Sequence, residues 1–264
     1  ARHAFEEQCR REARPTYVGG GTVLTRVLGR HLMYLDGADC RLAHHLMFDG
    51  FWESWLTIGL RSCLAPGMTV VDVGANFGYY SLLMAECVGP SGRVVAFEPQ
   101  RRLSELLSRS VFGNLLGSRV DVKVFAVGDS IGPKTLRRPA HLSGNGSLVK
   151  SFDGVPQQIE VEEVQCVTLD SVFGDDRVDV VKIDVEGNED AVVAGMLGVI
   201  AANPQIQLAI ELEAQGQPPA LLEVLEGEGF VPHLFNFSGE CHSVTYAYVR
   251  EQQYEPMVLF RRPA

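Results

Sequence analysis

The stretch that decides the fold is 68–99, MTVVDVGANFGYYSLLMAECVGPSGRVVAFEP. Its β-branched run at 69–73 predicts a buried strand, and the glycines that follow predict a tight turn. Apolar residues at helical spacing over 79–88 predict a helix, and 93–97 predicts a second strand. A strand, a glycine loop, a helix and a strand within about thirty residues are typical of the right-handed crossover in a parallel sheet.

The spacing within the loop indicates the kind of ligand. A dinucleotide site needs Gly-x-Gly-x-x-Gly, with a helix N-terminus aimed at a pyrophosphate. Here Asp72, Gly74, Asn76 and Gly78 alternate along the chain, and the carboxylate would repel a pyrophosphate. It suits a cationic or amine-bearing ligand, such as the methionine part of S-adenosylmethionine (SAM). Glu98, at the tip of the second strand, can accept hydrogen bonds from both hydroxyls of a ribose. An ordinary turn with a chance glycine pair is the alternative.

The segment VDVGANFGYYSLLMA, together with FEP, resembles the SAM-binding motifs of class I methyltransferases in the form used by the FkbM family. TLD at 168–170 and KIDVEGNE at 182–189 agree with that family. The resemblance runs over about 50–213. It implies a Rossmann-like α/β fold: a doubly wound, mostly parallel sheet with an antiparallel last strand. It also implies SAM as cofactor, with sugars, glycolipids or polyketide-type natural products as acceptors.

The resemblance places a cofactor site at the loop and the neighbouring strand ends. The loop lines the methionine moiety, Glu98 binds the ribose, and the strand end at 126–129 lies beside the adenine. Asp129 is then an acceptor for the adenine amine, and a turn acid beside glycine is an equal alternative. The predicted cofactor-binding residues are Asp72, Gly74, Ala75, Asn76, Gly78, Glu98, Pro99, Val127 and Asp129.

A second group of acids follows the strand predicted over 179–184. Asp184 and Glu186 lie two residues apart, and in an extended segment they would point the same way. They predict either a general base for a hydroxyl or a divalent cation site. A metal-free base is favoured, because no compact run of metal-spaced acids or histidines accompanies them. If Mg²⁺ is present, Asp184 and Glu211 are its predicted ligands. A helix N-cap cluster is the structural alternative.

Two histidines are further candidate bases. His141 lies in an irregular segment and His233 on a late strand. Histidine is the usual base near neutral pH, although a lone histidine is more often structural or solvated.

The chain is predicted to consist of an N-terminal extension, residues 1–66, and a SAM-binding catalytic domain, residues 67–264. The extension contains short strands and a helix over 48–64, and is interpreted as a lid or partner surface. The alternation of strands and helices fails over 130–167, which predicts an inserted hairpin. Long irregular insertions in compact domains are usually functional.

The composition of the chain disfavours some classes of binding partner and indicates the cellular compartment. A net charge of -10 and a pI near 5.2 disfavour a nucleic-acid partner, and no apolar run reaches the length of a membrane span. Scattered cysteines without a CxxC pair indicate free thiols in a reducing compartment, the cytoplasm. Position 1 is Ala, which suggests a processed chain or a piece of something longer. A homodimer and a larger assembly both stay open.

The leading interpretation is a SAM-dependent methyltransferase that methylates a hydroxyl of a small molecule. A nucleotide-dependent oxidoreductase is one alternative, although Asp72 and the loop spacing speak against it. A non-catalytic SAM-binding scaffold is another, although it has no need for acids after the 179–184 strand. The sequence leaves the acceptor and the base open.

Overall fold

The computed structural model describes residues 2–150, 152, 158–212, 220–252 and 256–263. Its strands are, in chain order, β1 (Thr16–Gly19), β2 (Thr22–Val27), β3 (His31–Asp36), β4 (Thr69–Val73), β5 (Arg93–Phe97), β6 (Val120–Lys123), β7 (Ala126–Val127), β8 (Gly132–Pro139), β9 (Ile159–Val167), β10 (Val180–Ile183), β11 (Gln207–Glu211), β12 (Val231–Phe235), β13 (Cys241–Ser243) and β14 (Met257–Arg261).

Helices cover the sheet and build part of the extension. No helix among the described residues is both long and apolar enough to cross a lipid bilayer. In chain order they are α1 (Arg2–Glu12), α2 (Leu42–Asp49), α3 (Ser54–Ser62), α4 (Tyr79–Val88), α5 (Arg101–Gly113), α6 (Leu169–Phe173), α7 (Glu189–Ala194), α8 (Leu197–Ala202), α9 (Leu221–Gly227) and α10 (Tyr246–Arg250).

The main sheet has eight strands in the order β13-β12-β14-β11-β10-β4-β5-β6. The strands from β11 to β6 run parallel to one another, whereas β14 is antiparallel to both of its neighbours. This confirms the predicted Rossmann-like fold, a mostly parallel sheet that ends in antiparallel strands.

Side chains that alternate along the buried strands belong to two separate apolar cores, one on each face of the sheet. Val70 and Val94 pack with helices α4 and α5 on one face, whereas Val71 and Val95 pack with helices α6 to α9 on the other. A period of two along each strand sends successive residues to opposite faces. Apolar residues on both faces therefore produce a sheet wound on both sides.

The N-terminal extension packs on the α5 face of the sheet. Strands β1, β2 and β3 form an antiparallel meander, and the turn between β2 and β3 contains Gly29 with a left-handed backbone. The backbone N–H of Leu32 donates to Asn114 Oδ1 at 2.9 Å, and that of Tyr34 donates to Ser110 Oγ at 3.0 Å. Side chains of the extension share one core with the sheet.

The prediction of a single helix over 48–64 is wrong, because the chain forms two helices there, α2 and α3, with a break between them. Helix α2 ends at Gly50, whose backbone is left-handed with φ 70°. A Cβ on Gly50 would lie 2.8 Å from the carbonyl oxygen of Cys9, so the chain passes close to α1 there. At this break, residues 51–53 leave the helix axis and approach the C-terminal ends of the parallel strands.

Two neighbouring pairs of elements are separated in the same way. Strand β6 ends at Lys123, and β7 leaves the main sheet and pairs with β9. Helices α7 and α8 are separated at Gly195, where a Cβ would lie 2.0 Å from the carbonyl oxygen of Gly128. Asp170, part of the TLD motif, accepts backbone hydrogen bonds from Gly198 and Val199 and so caps α8.

The inserted hairpin is present. Strands β8 and β9 pair antiparallel from Gly132 to Pro139, and with β7 they form a separate three-stranded sheet. A turn of 3₁₀ helix, Ser143–Asn145, follows β8 and leads to a bridge between Ser147 and Arg137. Residues 151 and 153–157 of the insertion lie outside the described part.

Candidate functional site

A cavity of about 570 Å³ opens at the C-terminal ends of the parallel strands, where ligands bind in open α/β folds. Val73, Phe97 and Glu211 line it from strands β4, β5 and β11. The extension contributes Trp52 and the insertion contributes Leu148, so both segments help to enclose it.

The glycine loop forms one wall of the cavity through Gly74, Ala75 and Asn76. The backbone N–H groups of Gly74 and Ala75 both donate to the carbonyl oxygen of Phe97, at 3.0 and 2.9 Å. Gly74 has φ 77°, and a Cβ there would lie 1.8 Å from the carbonyl oxygen of Asp184. Gly74 is therefore required by the close approach of β10, as well as by its backbone conformation.

Gly78 has a different role from the one predicted. It does not line the cavity; instead it begins α4 with φ 90°, and a Cβ would lie 2.1 Å from Leu107 Cδ1. This glycine allows α4 and α5 to pack closely.

Asp72 also lies away from its predicted position against a ligand. Its side chain is completely buried beneath the loop and does not line the cavity. It accepts a hydrogen bond from Ser81 Oγ at 2.6 Å and lies 3.5 Å from Lys182 Nζ. The acid therefore neutralises a buried cation from β10 and supports the loop from below.

Glu98 lines the cavity as predicted. Its two carboxylate oxygens accept hydrogen bonds from the backbone N–H groups of Asn76, at 2.8 Å, and Gln100, at 2.9 Å. These bonds fix the orientation of the carboxylate. Burial raises the pKa of Glu98 to about 7, against the opposing effect of these two donors. Each oxygen keeps a lone pair for a further donor from the cavity.

The adenine end was predicted only in part. Pro99 and Val127 line the cavity. Asp129 does not; it is exposed and accepts a hydrogen bond from Ser130 Oγ at 2.9 Å. This agrees with the alternative interpretation of Asp129 as a turn acid.

The structure brings Asp184 together with Glu211, from the neighbouring strand, and with Lys182. Lys182 is 2% exposed, and its Nζ lies 3.2 Å from Asp184 Oδ2 and 5.0 Å from the centre of the Tyr80 ring. Burial opposes the charges, but Lys182 outweighs it and lowers the pKa of Asp184. Burial and the adjacent Asp184 raise the pKa of Glu211 far above its usual range. The two carboxyl groups are hydrogen-bonded to each other, and the opposite directions of their pKa shifts favour the proton on Glu211.

Glu186 lines the cavity. The spacing predicted an extended segment in which Glu186 points the same way as Asp184, and this prediction is wrong. Its backbone is left-handed, with φ 57°. Its carboxylate forms an ion pair with Lys150 Nζ at 2.7 Å, and its carbonyl oxygen accepts a hydrogen bond from Ser147 Oγ at 2.7 Å. Glu186 therefore joins the loop after β10 to the insertion.

Sequence reasoning missed Glu53. It lines the cavity from the break between α2 and α3, with a left-handed φ of 38° and an Oε2 that accepts Tyr80 Oη–H at 2.9 Å. Burial, followed by other groups that include Asp184, raises its pKa. Strained backbone often marks functional sites, but the spacing FWESW reads as helix and hides this one.

Neither His141 nor His233 lines the cavity. His141 is exposed, and its carbonyl oxygen accepts the backbone N–H of Cys40. His233 lies on β12, separated from β10 by β14 and β11, and its Nδ1 lies 2.9 Å from the carbonyl oxygen of Val231. Among the described residues, no three His, Cys, Asp or Glu side chains are placed to hold a metal ion.

Comparisons with known proteins show the family of the chain. The model of the methyltransferase FkbM domain matches residues 72–232, more than half of the chain. AMB antimetabolite synthetase AmbE from Pseudomonas aeruginosa is 30% identical over 63% of this chain, which spans only 10% of that protein's length. Methyltransferase sdnD from Sordaria araneosa is 26% identical over 61% of this chain and 73% of its own.

Among solved structures, the methyltransferase FkbM from Methylobacillus flagellatus superposes with a TM-score of 0.47 and 20% identity, over 74% of this chain and 43% of that one. The family match begins at the acid of the glycine loop and includes both acids of the Asp184–Glu211 pair. The chain therefore belongs to the FkbM family of SAM-dependent methyltransferases.

Proposed function

We propose that the protein transfers the methyl group of SAM to a hydroxyl of a small molecule, with Asp184 as the base. The observation that carries this proposal is the half-buried pair of Asp184 and Glu211 beside the glycine loop, in which the pKa of Asp184 is lowered and that of Glu211 is raised. Methyl transfer to a hydroxyl requires a group that accepts the hydroxyl proton, and Asp184 is held ionised for that role by Lys182.

The residues of the cavity fit the cofactor of the family. When bound, SAM supplies a methyl group activated on a positively charged sulfur. Gly74, Ala75 and Asn76 form the loop wall of the cavity, and Glu98 presents two aligned oxygens to a pair of ribose hydroxyls.

Two segments supply the remaining walls. Leu46 and Trp52 come from the extension, residues 1–66, and Leu148 from the insertion, residues 130–167. We infer that these segments cover the acceptor and exclude water, so that residues 67–264 form the catalytic domain and the extension acts as its lid. Exclusion of water strengthens the electrostatic effects of Asp184 and Lys182.

A screen of hydroxylated acceptors tests the function. The purified chain is incubated with SAM and sugars, glycolipids or phenols, with and without a chelator, and the methylated product and the demethylated cofactor are measured by mass spectrometry. We expect methyl ethers to form at equal rates with and without chelator. Products methylated only on nitrogen would contradict the proposed acceptor class. Loss of turnover with chelator, restored by Mg²⁺, would replace the base with a metal site.

SAM affinity should depend on pH through Glu98. The ribose hydroxyls donate to the ionised carboxylate, whose pKa in the free protein is about 7 because of burial. Affinity should therefore be highest above pH 7 and fall as the pH decreases below it, until it levels off where Glu98 is protonated in the bound protein as well. Calorimetry at a series of pH values measures this.

Glu98→Gln provides the control, because it keeps the shape but cannot titrate. It should lose about 1.5–3 kcal/mol of binding free energy and show a flatter pH profile than the unchanged protein. Identical pH profiles for the two proteins would show that the ribose hydroxyls do not bind to the ionised Glu98 carboxylate.

A further inference from the structure

Glu53 is an acid of the cavity wall that lies outside the family match. The match covers residues 72–232, whereas Glu53 belongs to the extension and lies in the break between α2 and α3. Two more residues of the extension, Trp52 and Leu46, line the cavity with it. Segments that connect regular elements carry a large share of the residues that select a ligand. This wall is therefore the part of the cavity in which a feature particular to this chain is expected.

The backbone of Glu53 is strained, and its side chain has no capping role that would account for the strain. With φ 38° and ψ 67° it lies in the left-handed region, which residues other than glycine rarely adopt. The residue precedes α3, yet its side chain makes no capping hydrogen bond to that helix. The next residue holds the turn instead, because the buried Ser54 Oγ donates to Glu6 Oε1 of α1 at 2.5 Å. Strain that the surrounding structure maintains is often found at functional sites.

The half-buried Glu53 carboxylate has no cationic partner within the protein. Its Oε2 accepts a hydrogen bond from Tyr80 Oη, but among the described residues no donor reaches Oε1 and no lysine or arginine forms an ion pair with either oxygen. Two other acids of the cavity do form ion pairs, Asp184 with Lys182 and Glu186 with Lys150. Because an unpaired carboxylate is costly to bury, a ligand that brings a cation would stabilise Glu53.

The neighbouring Trp52 adds a second group that attracts cations. Its ring lies 5.2 Å from the His45 ring in an edge-on contact, which holds it in place at the cavity wall. The face of an indole ring attracts an ammonium group, and an adjacent carboxylate provides the opposite charge and a hydrogen-bond acceptor. Glu53 also lies near the proposed base, since burial and, to a smaller extent, the charge of Asp184 raise the pKa of Glu53.

We propose that Glu53 and Trp52 bind a protonated amine of the acceptor, close to the hydroxyl that is methylated. The acceptor is then a hydroxylated amine, such as an amino sugar, an amino alcohol or a phenol with an amine side chain. This inference rests on the proposed function, and it adds a specificity-determining residue that belongs to the extension and not to the glycine loop or the strand ends.

Binding to the protein saturated with S-adenosylhomocysteine tests the inference without turnover. Three amines are compared by calorimetry with counterparts that lack the amine: glucosamine with glucose, tyramine with 4-ethylphenol, and serinol with glycerol. At least one amine should bind the unchanged protein about tenfold more tightly than its counterpart. Glu53→Gln should reduce that ratio severalfold and leave the affinity for S-adenosylhomocysteine unchanged. Its resistance to urea should not decrease, because glutamine removes a charge that burial disfavours.

Glu186→Gln is the matched control, because it removes a carboxylate from the same cavity that already has Lys150 as its partner. It should keep the preference for the amine. For any amine that is methylated, Glu53→Gln should raise KM more than it lowers kcat. A purely structural role of Glu53 would instead lower kcat and the resistance to urea together.

The outcomes separate this inference from the proposed function. If no amine binds more tightly than its counterpart, or if Glu53→Gln and Glu186→Gln lose the preference equally, the amine site is wrong. If Glu53→Gln weakens S-adenosylhomocysteine binding about tenfold, Glu53 holds the cofactor and the inference is also overturned. If the amines bind with the expected preference but no hydroxyl is methylated, the proposed function fails while the amine site stands. If S-adenosylhomocysteine does not bind the unchanged protein, both fail.

Discussion

Lys182→Met should lower the free energy of unfolding by roughly 3–5 kcal/mol, the usual cost of removing one partner from a buried ion pair. Lys182 is 2% exposed and lies 3.5 Å from Asp72 Oδ1 and 3.2 Å from Asp184 Oδ2. Methionine fills a similar volume without charge, so the loss comes from two carboxylates that keep their burial and lose their cation. Asp72 is affected most, because it is completely buried.

The pH dependence identifies the cause of this loss. Without the cation, nothing outweighs the burial that raises the folded-state pKa of Asp184, so its ionisation costs stability as the pH rises. The difference between Lys182→Met and the unchanged protein should therefore be smaller at about pH 5 than at about pH 8. Urea unfolding at both pH values measures it.

Lys123→Met is a matched control for Lys182→Met. Lys123 pairs with Asp121 at 3.1 Å, but both side chains are more than a third exposed. Pairs of that kind contribute about 0–1 kcal/mol, so this variant should unfold almost as the unchanged protein does. Equal losses from the two substitutions, or a Lys182→Met loss independent of pH, would contradict the buried-charge explanation.

Asp184→Asn should reduce kcat by roughly 10²–10⁴-fold while SAM affinity changes little. Asparagine keeps the shape of the side chain but cannot accept the proton of the acceptor hydroxyl. The neighbouring Glu211 is a poor replacement, because burial, which the substitution leaves in place, raises its pKa. Single-turnover methyl transfer to the best acceptor of the screen, together with calorimetry for SAM, measures both effects.

Glu186→Gln distinguishes a base from a general loss of negative charge in the cavity. It removes one carboxylate from the same wall, but that carboxylate is paired with Lys150 at 2.7 Å. We expect a smaller decrease in kcat than for Asp184→Asn. A greater loss for Glu186→Gln, or normal turnover of Asp184→Asn, would exclude Asp184 as the base.

Several predicted residues do lie together at the cavity: Gly74, Ala75, Asn76, Glu98, Pro99, Val127, Asp184, Glu186 and Glu211. They were found because a strand, a turn and a helix leave local patterns, and because the ends of parallel strands meet at one edge of a sheet. Asp72 and Gly78 were selected by the same pattern, but they support the loop from within the protein. Spacing alone does not distinguish a residue that contacts a ligand from one that holds the contacting residue in place.

The sequence by itself determined the crossover β4-α4-β5, the glycine loop and the acid at the end of β5, because each depends on residues within one short segment. Only the tertiary structure decided that Asp184 pairs with Glu211 and not with Glu186, since the first pairing joins neighbouring strands and the second was prevented by a left-handed residue. It also decided that Glu53, Gln100 and Ser143 reach the same cavity. Their positions result from a helix break and an insertion that fold over the sheet, and such long-range packing leaves no local period in the chain.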